Sequence, residues 1–228
     1  MTRFDVRRDL IKVAGWVLFA LFVLFVLYEL FALWRAYQRT PEVVAIAREG
    51  PLKASDLTSD RRAILLAVED PGFDRHHGVD WSTPGQGATT ISQALVKRLY
   101  FDDFKPGFDK IEQSLIARFM LDHALNKEEQ LTAFLNHSYF GTAGGRPITG
   151  FADAAKIYYD RSFYALTQPQ YIALVGMLVA PRDYDPRRHP RASAERAARI
   201  ERLVHGQCQP TGVGDVLYEA CQKPASPL

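Results

Sequence analysis

Between Val13 and Tyr28 the chain carries no charged residue, and Glu29 is the only one before Arg35. With Leu30 to Trp34 added, the apolar run is long enough to cross ~30 Å of hydrocarbon as a helix. Trp16 near one end, and Tyr28 and Trp34 near the other, are placed as interfacial anchors. Arg3, Arg7, Arg8 and Lys12 precede the run against Asp5 and Asp9, and Arg35 and Arg39 follow it. That bias puts the N-terminus inside and the rest outside. The run is longer than the core of a cleavable signal peptide, and Trp34 and Tyr37 do not suit a small-residue cleavage site. The pattern therefore predicts an uncleaved signal anchor over 13–34, after a cytoplasmic N-terminus at 1–12. Thr40-Pro41 is expected to end the helix, and 35–52 reads as a linker.

Beyond the linker the apolar spacing is helical almost throughout. Ile64, Leu65 and Val68 form one stripe, interrupted at Pro71-Gly72; Ile91, Leu95 and Leu99 form a second. A third is expected at Ile111, Leu115, Ile116 and Phe119. Asn126 with Glu129, and Thr167 with Gln170, have the spacing of capping boxes, the second ahead of an apolar run from Ile172 to Val179. Ser193 is positioned to cap a last helix through Leu203. No segment reads convincingly as a strand, and no internal repeat is present. The expected fold is mainly α, with a compact domain over 53–205 and an appended tail over 206–228.

Composition narrows the functional classes. The 228 residues are 47% hydrophobic with a net charge of +2, enough for one core plus a membrane segment. So small a charge gives no bulk electrostatic grip on nucleic acid. Cys208 and Cys221 both lie in the tail. In an oxidising compartment they can close a short loop, worth roughly 2–3 kcal/mol by the chain-entropy estimate; otherwise they are two free thiols.

Two stretches differ from ordinary helix surface. From Val68 to Asp80 the chain packs two adjacent carboxylates, Glu69 and Asp70, with His76, His77 and two glycines where an apolar helix breaks off. A carboxylate just past a buried stripe is partly desolvated, which raises its pKa toward that of a useful base. The plainer alternative is that these carboxylates are exposed or cap the next turn. Adjacent histidines point apart and no metal-ligand spacing accompanies them, so no metal is expected and His76 reads as a structural hydrogen-bonding residue. From Gln86 to Tyr100 a glycine and small hydroxyl residues open a helix, where free N–H groups favour anions, and Lys97 and Arg98 follow. The plainer alternative is a capped helix with basic surface residues.

Taken together and in order, these segments resemble the peptidoglycan glycosyltransferases, found as monofunctional enzymes and as the first domain of class A penicillin-binding proteins. EDPGFDRHHGVD, starting at Glu69, resembles the first family signature, and QGATTISQALVK, starting at Gln86, the second. DKIEQ, starting at Asp109, falls at the third; KEEQLTAFLN, ending at Asn136, is similar to the fourth. Gly150 through Ser162, then Ala165-Leu166-Thr167, resembles the fifth, and ALVGMLVAPRDYDPRRHP its continuation. The resemblance covers roughly residues 50 to 205. It implies a lysozyme-like, mainly helical domain behind one transmembrane helix, facing the periplasm from a bacterial inner membrane.

The resemblance further implies inverting polymerisation of lipid II into glycan strands, with undecaprenyl pyrophosphate leaving. Glu69 matches the general base. Lys97 and Lys110 match the signature lysines, and Lys105 sits where a further basic residue is expected. Thr90, Gln93, Asn136 and His76 match motif positions that line the cleft or shape the Glu69 loop. No cofactor is required, though a divalent cation can assist at the pyrophosphate. Lipid II, nascent glycan and the membrane are the implied partners; transpeptidases and other cell-wall synthesis proteins are further candidates. The departures lie in the third signature, whose opening arginine is Asp109 and whose glutamate falls on Gln113 counted from Lys97 or on Ser114 counted back from Asn136, with Glu112 adjacent; in Thr132 and Ala94 of the fourth and second; and in the short Ser-Thr-Pro-Gly link after Trp81. A one-residue shift turns a helical side chain by about 100°. The departures make a catalytically impaired lipid II- or synthase-binding module the alternative. A muramidase would need an acid near Glu69, and Glu112 is the only one the sequence offers.

Overall fold

The computed structural model describes residues 3–222, with side chains from Leu10 onward. The side chains of 3–9, whose charge bias predicted the orientation, and residues 223–228 of the tail lie outside this range. The first element, α1, runs unbroken from Arg3 to Ala47, so its membrane-length apolar part continues directly into the domain. Pro41 does not end it, contrary to expectation. A proline removes one helical hydrogen bond, but this part of α1 is held by tertiary contacts. Ala36, Val43 and Ala47 are buried, Arg39 donates to the Tyr100 carbonyl at 3.0 Å, and Thr40 bonds the Ala36 carbonyl and the Tyr100 hydroxyl. The expected linker is thus mostly helix.

Eight further α-helices and a hairpin complete the domain among the described residues. α2 (Ser59–Glu69) and α3 (Ile91–Leu99) bury the expected stripes. α4 (Phe108–Ile116) continues through a π-helical turn, Ala117–Leu121, into the short α5 (Asp122–Ala124). α6 (Lys127–His137) begins at the Asn126–Glu129 capping box. The hairpin β1 (Tyr139–Ala143) and β2 (Arg146–Thr149) was not expected. It turns at Gly144-Gly145 and pairs Ala143 with Arg146 and Tyr139 with Thr149. Its strands are too short to show a period-two pattern, and the Gly-Gly pair was their only local signal.

α7 (Phe151–Tyr159) leads to α8 (Gln168–Met177), which opens at the Thr167–Gln170 capping box. α9 (Pro190–Val204) starts with a proline in its first turn, so Ser193 lies buried inside the helix instead of capping it. Phe140, Phe151, Phe163 and Tyr171 pack edge-on or tilted in the centre, with neighbouring ring centroids 4.8–6.1 Å apart. The third stripe departs from expectation: Ile116 is buried, whereas Ile111 and Phe119 are exposed. α4 lies against α1, with Phe108 and Phe25 ring centroids 6.1 Å apart, so part of its apolar face is turned toward the anchor helix.

Candidate active site

Glu69 is the last residue of α2, and the turn after it is fixed by Asp70. Asp70 is fully buried. Its carboxylate receives the His76 Nε2 at 2.9 Å and the Ile91 N–H, the first of α3, at 2.9 Å. One side chain therefore ties the end of α2 to the following loop and to the start of α3, where the helix dipole favours negative charge. Gly78 closes the loop against the π turn: it has φ +85°, and a Cβ there would stand 2.4 Å from the Ala117 carbonyl oxygen. The Thr90 hydroxyl donates to the Gly78 carbonyl at 2.7 Å and caps α3 through the Gln93 N–H.

This frame delivers Glu69 into a cavity of about 510 Å³ between α2, α3 and the end of α8. Glu69 is the only carboxylate lining it among the described residues. Glu69 is half-buried in the cavity wall, and its carboxyl makes no hydrogen bond among the described residues. Burial pushes its pKa up to about 7, against the lowering effect of the nearby Arg196 guanidinium, with Asp70 adding a smaller upward push. Half of such a group is ionised near neutral pH, the condition for a general base.

Cations stand at the cavity's rim. Lys97 and Arg98, in the last turn of α3, line it. Lys110, in the first turn of α4, donates to the Thr89 hydroxyl at 2.9 Å. Burial holds the Lys110 ammonium below the usual lysine range, and the charge of Lys97 adds to the effect. The two ammonium groups therefore feel each other across the segment that opens α3.

The other sequence-derived residues occupy different places. Thr90 borders the cavity, but its hydroxyl is committed to the cap. Gln93 is buried, bonding the Thr90 N–H and the Ser114 hydroxyl. Asn136 is buried against Leu52, accepting from its N–H and donating to its carbonyl. His76 is held by Asp70. Lys105 lies on the exposed α3–α4 loop, paired with Asp103 at 3.2 Å. Gln113 is buried behind α3, its amide donating to the Gln93 carbonyl at 2.6 Å. Glu112 faces α1, 3.6 Å from Arg35, and does not line the cavity. No second acid lines the cavity with Glu69 among the described residues, and Glu112, the acid that the muramidase reading would need, faces α1 instead.

Two functional neighbours escaped the sequence reading. Arg196 is 2% exposed, lines the cavity, and donates from Nε to the Gly176 carbonyl at 2.7 Å. Its signal was its position in the buried stripe Ser193–Arg196–Ile200 of α9. Val216, from the tail, also lines the cavity, and the tail's cysteines are joined, Cys208 to Cys221. No group of three or more His, Cys, Asp or Glu side chains is arranged to hold a metal among the described residues.

The model of the Transglycosylase family matches residues 42–205. Penicillin-binding protein 1B of Escherichia coli K12 is 31% identical over 156 residues, 63% of this chain and 18% of the relative. Penicillin-binding protein 1A of Streptococcus oralis is 28% identical over 191 residues, covering 76% of this chain and 29% of its own. Penicillin-binding protein 1F of Bacillus subtilis is 27% identical over 185 residues, 75% of this chain and 25% of the relative. The chain spans about a fifth of the length of the first of these relatives.

Proposed function

This chain belongs to the Transglycosylase family, and from that premise we propose that it polymerises lipid II into glycan strands at a bacterial inner membrane, with its domain in the periplasm. The observation that carries the proposal is Glu69, a lone carboxyl with a pKa of about 7 inside a cavity rimmed by cations. In the proposed step Glu69 takes the proton from the acceptor sugar's 4-hydroxyl. That oxygen bonds to C1 of the donor's N-acetylmuramyl unit from the face opposite the pyrophosphate. The C1–O bond breaks with inversion, and undecaprenyl pyrophosphate leaves with the bonding electrons. Lys97, Lys110 and Arg98 would lower the cost of the charge that develops on it.

A single carboxylate is sufficient for this chemistry. Hydrolysis of a glycoside needs a general acid because a sugar alkoxide leaves poorly; a pyrophosphate held by ammonium groups does not. The proposed reaction therefore needs no resident cofactor, and a divalent cation would act on the pyrophosphate without a protein cage. The apolar part of α1, with exposed Phe108 and Ile111 on the adjoining α4, suits a domain seated on the bilayer that holds the substrate's polyprenyl chain. Lipid II and the growing glycan are the proposed partners. Transpeptidases and other cell-wall synthesis proteins are further proposed partners.

A second reading has one observation in its favour. Gln113 stands at the family's second glutamate and is buried away from the cavity, which suits a module that binds lipid II without turning it over. Incubating the detergent-solubilised full-length chain with labelled lipid II separates the two. A ladder of glycan products that disappears in Glu69→Gln supports the glycosyltransferase. Lipid II binding without a ladder, or a ladder unchanged in Glu69→Gln, refutes Glu69 catalysis.

A further inference from the structure

The residues after α9 fold back over the end of the loop between α2 and α3. The Gly85 N–H donates to the Gly212 carbonyl at 3.0 Å and the Gly87 N–H to the Val213 carbonyl at 2.7 Å. Val216 sits so close to Gly87 that a Cβ there would be 2.7 Å from its Cγ1, and Gly87 has φ +68°. Tyr218 is fully buried. Its hydroxyl donates to the carbonyl of Val68, the residue before Glu69, at 2.9 Å. The Arg196 guanidinium lies 5.3 Å from the Tyr218 ring centroid and 5.4 Å from that of Tyr184. α9 grips the same segment, Arg199 donating to the Leu217 carbonyl at 2.9 Å and Arg202 to the Cys221 carbonyl at 2.6 Å. The Cys208–Cys221 bond joins the ends of the segment.

We propose that this cross-linked tail is a wall of the active site, in which Tyr218 is a positioning residue that holds Arg196 and the end of α2 in register with Glu69. The proposal rests on the reading of Glu69 as the base. The tail's contacts converge on one spot: Val216 closes the cavity, Tyr218 braces the backbone beside Glu69, and its ring packs against Arg196. Gln86 to Thr90 of the loop before α3 line this side of the cavity, and the tail bonded to Gly85 and Gly87 completes it with Val216. Charged and titratable groups approach Glu69 from four directions: Asp70 from its own turn, Tyr171 from α8, Arg196 from α9 and Tyr218 from the tail. The disulfide keeps the wall docked by restricting the conformations a released tail could explore.

Undocking would admit water to Glu69 and free Arg196. The two effects on the carboxyl oppose each other, and solvation dominates because burial is the main cause of its raised pKa. The experiment compares the oxidised full-length chain, the chain reduced with a phosphine, Cys208→Ser/Cys221→Ser, and Tyr218→Phe. Lipid II turnover is measured from about pH 5 to 9, separating kcat from KM. In parallel, the Glu69 carboxyl is titrated by carbon NMR in each form and assigned with Glu69→Gln. Undocking is expected to cut kcat about tenfold or more and to move both the acid limb and the NMR titration down by about one pH unit or more. Tyr218→Phe, which keeps the ring, is expected to shift both in the same direction by less. A tail that only adds stability would lower the melting temperature and leave the acid limb and titration in place, and that result overturns the proposal. If the oxidised chain makes no Glu69-dependent product, the reading of the function fails, and the NMR titration still decides whether the tail sets the Glu69 environment.

Discussion

Glu69 carries opposing demands on stability and chemistry. Its folded pKa of about 7 lies above the ordinary value of 4.5, so the native state holds its proton more tightly than the unfolded chain. Stability from this group is complete below about pH 4.5 and is lost as pH rises through about 7. The loss at alkaline pH amounts to up to about 3 kcal/mol. Glu69→Gln should therefore melt at nearly the native temperature at pH 4 and above it at pH 8, while polymerising no lipid II. Equal melting temperatures at both values would show that the carboxyl is not desolvated. Native turnover should rise with pH through about 7 as the base ionises. Gln113 tests the opposite case. Its amide donates to the Gln93 carbonyl, so Gln113→Glu would bury a carboxylate against an acceptor. That should cost about 1–3 kcal/mol at neutral pH, less in acid, and restore no activity. A faster enzyme would mean that the side chain faces substrate. Glu69 was legible as a candidate mainly through the family signature that it opens, since the local stripe and break left an exposed or capping carboxylate equally open. The direction of Gln113 was not, since it depends on how α4 is rotated against α3, a property of packing alone.

At the scale of elements, the site depends on the fit between the Glu69 loop and the π turn after α4. Gly78 has no room for a side chain beside the Ala117 carbonyl, and its positive φ disfavours any other residue. Gly78→Ala should lower stability by more than the ~1 kcal/mol of the backbone conformation alone. It should also lower kcat, because displacing the loop disturbs the Asp70–His76 bonds that set the end of α2. Unchanged melting and turnover would show that the loop adapts without cost. The helix starts were well marked in the sequence, since the expected boxes at Asn126 and Thr167 are both formed; caps are local chemistry. The continuation of α1 through Pro41 was not marked. Nor was the docking of the tail, whose partners at Gly85, Gly87 and Val68 are more than a hundred residues away in sequence. Local rules describe what a segment prefers alone, and both segments take their structure from distant contacts.

On the scale of the whole molecule, the anchor and the domain are one folded body. The lower part of α1 buries Val43, Ala36 and Ala47, donates from Arg39 to Tyr100, and receives His137 at the Ile46 carbonyl. Burying a valine contributes about 1.5–3 kcal/mol and each hydrogen bond about 0.5–1.5 kcal/mol. Together these come to about 3–6 kcal/mol, a large share of the ~5–15 kcal/mol total of an ordinary domain. Removing residues 1–47 should therefore abolish cooperative folding. Removing 1–34 should leave a domain that melts cooperatively yet needs detergent, because Phe108 and Ile111 on α4 remain an exposed apolar surface. Circular dichroism melts of the two truncations, with size-exclusion profiles in and out of detergent, make the comparison. If the chain without 1–47 melted sharply at the full-length temperature, α1 would be a tether and nothing more. If it does not, the helix that reaches the membrane also holds α3, α4 and α6 in place. The orientation of the Glu69 cavity relative to the upper part of α1 is then set by a continuous helix, and under the proposed function a lipid-linked substrate would meet the Glu69 carboxyl at a fixed height.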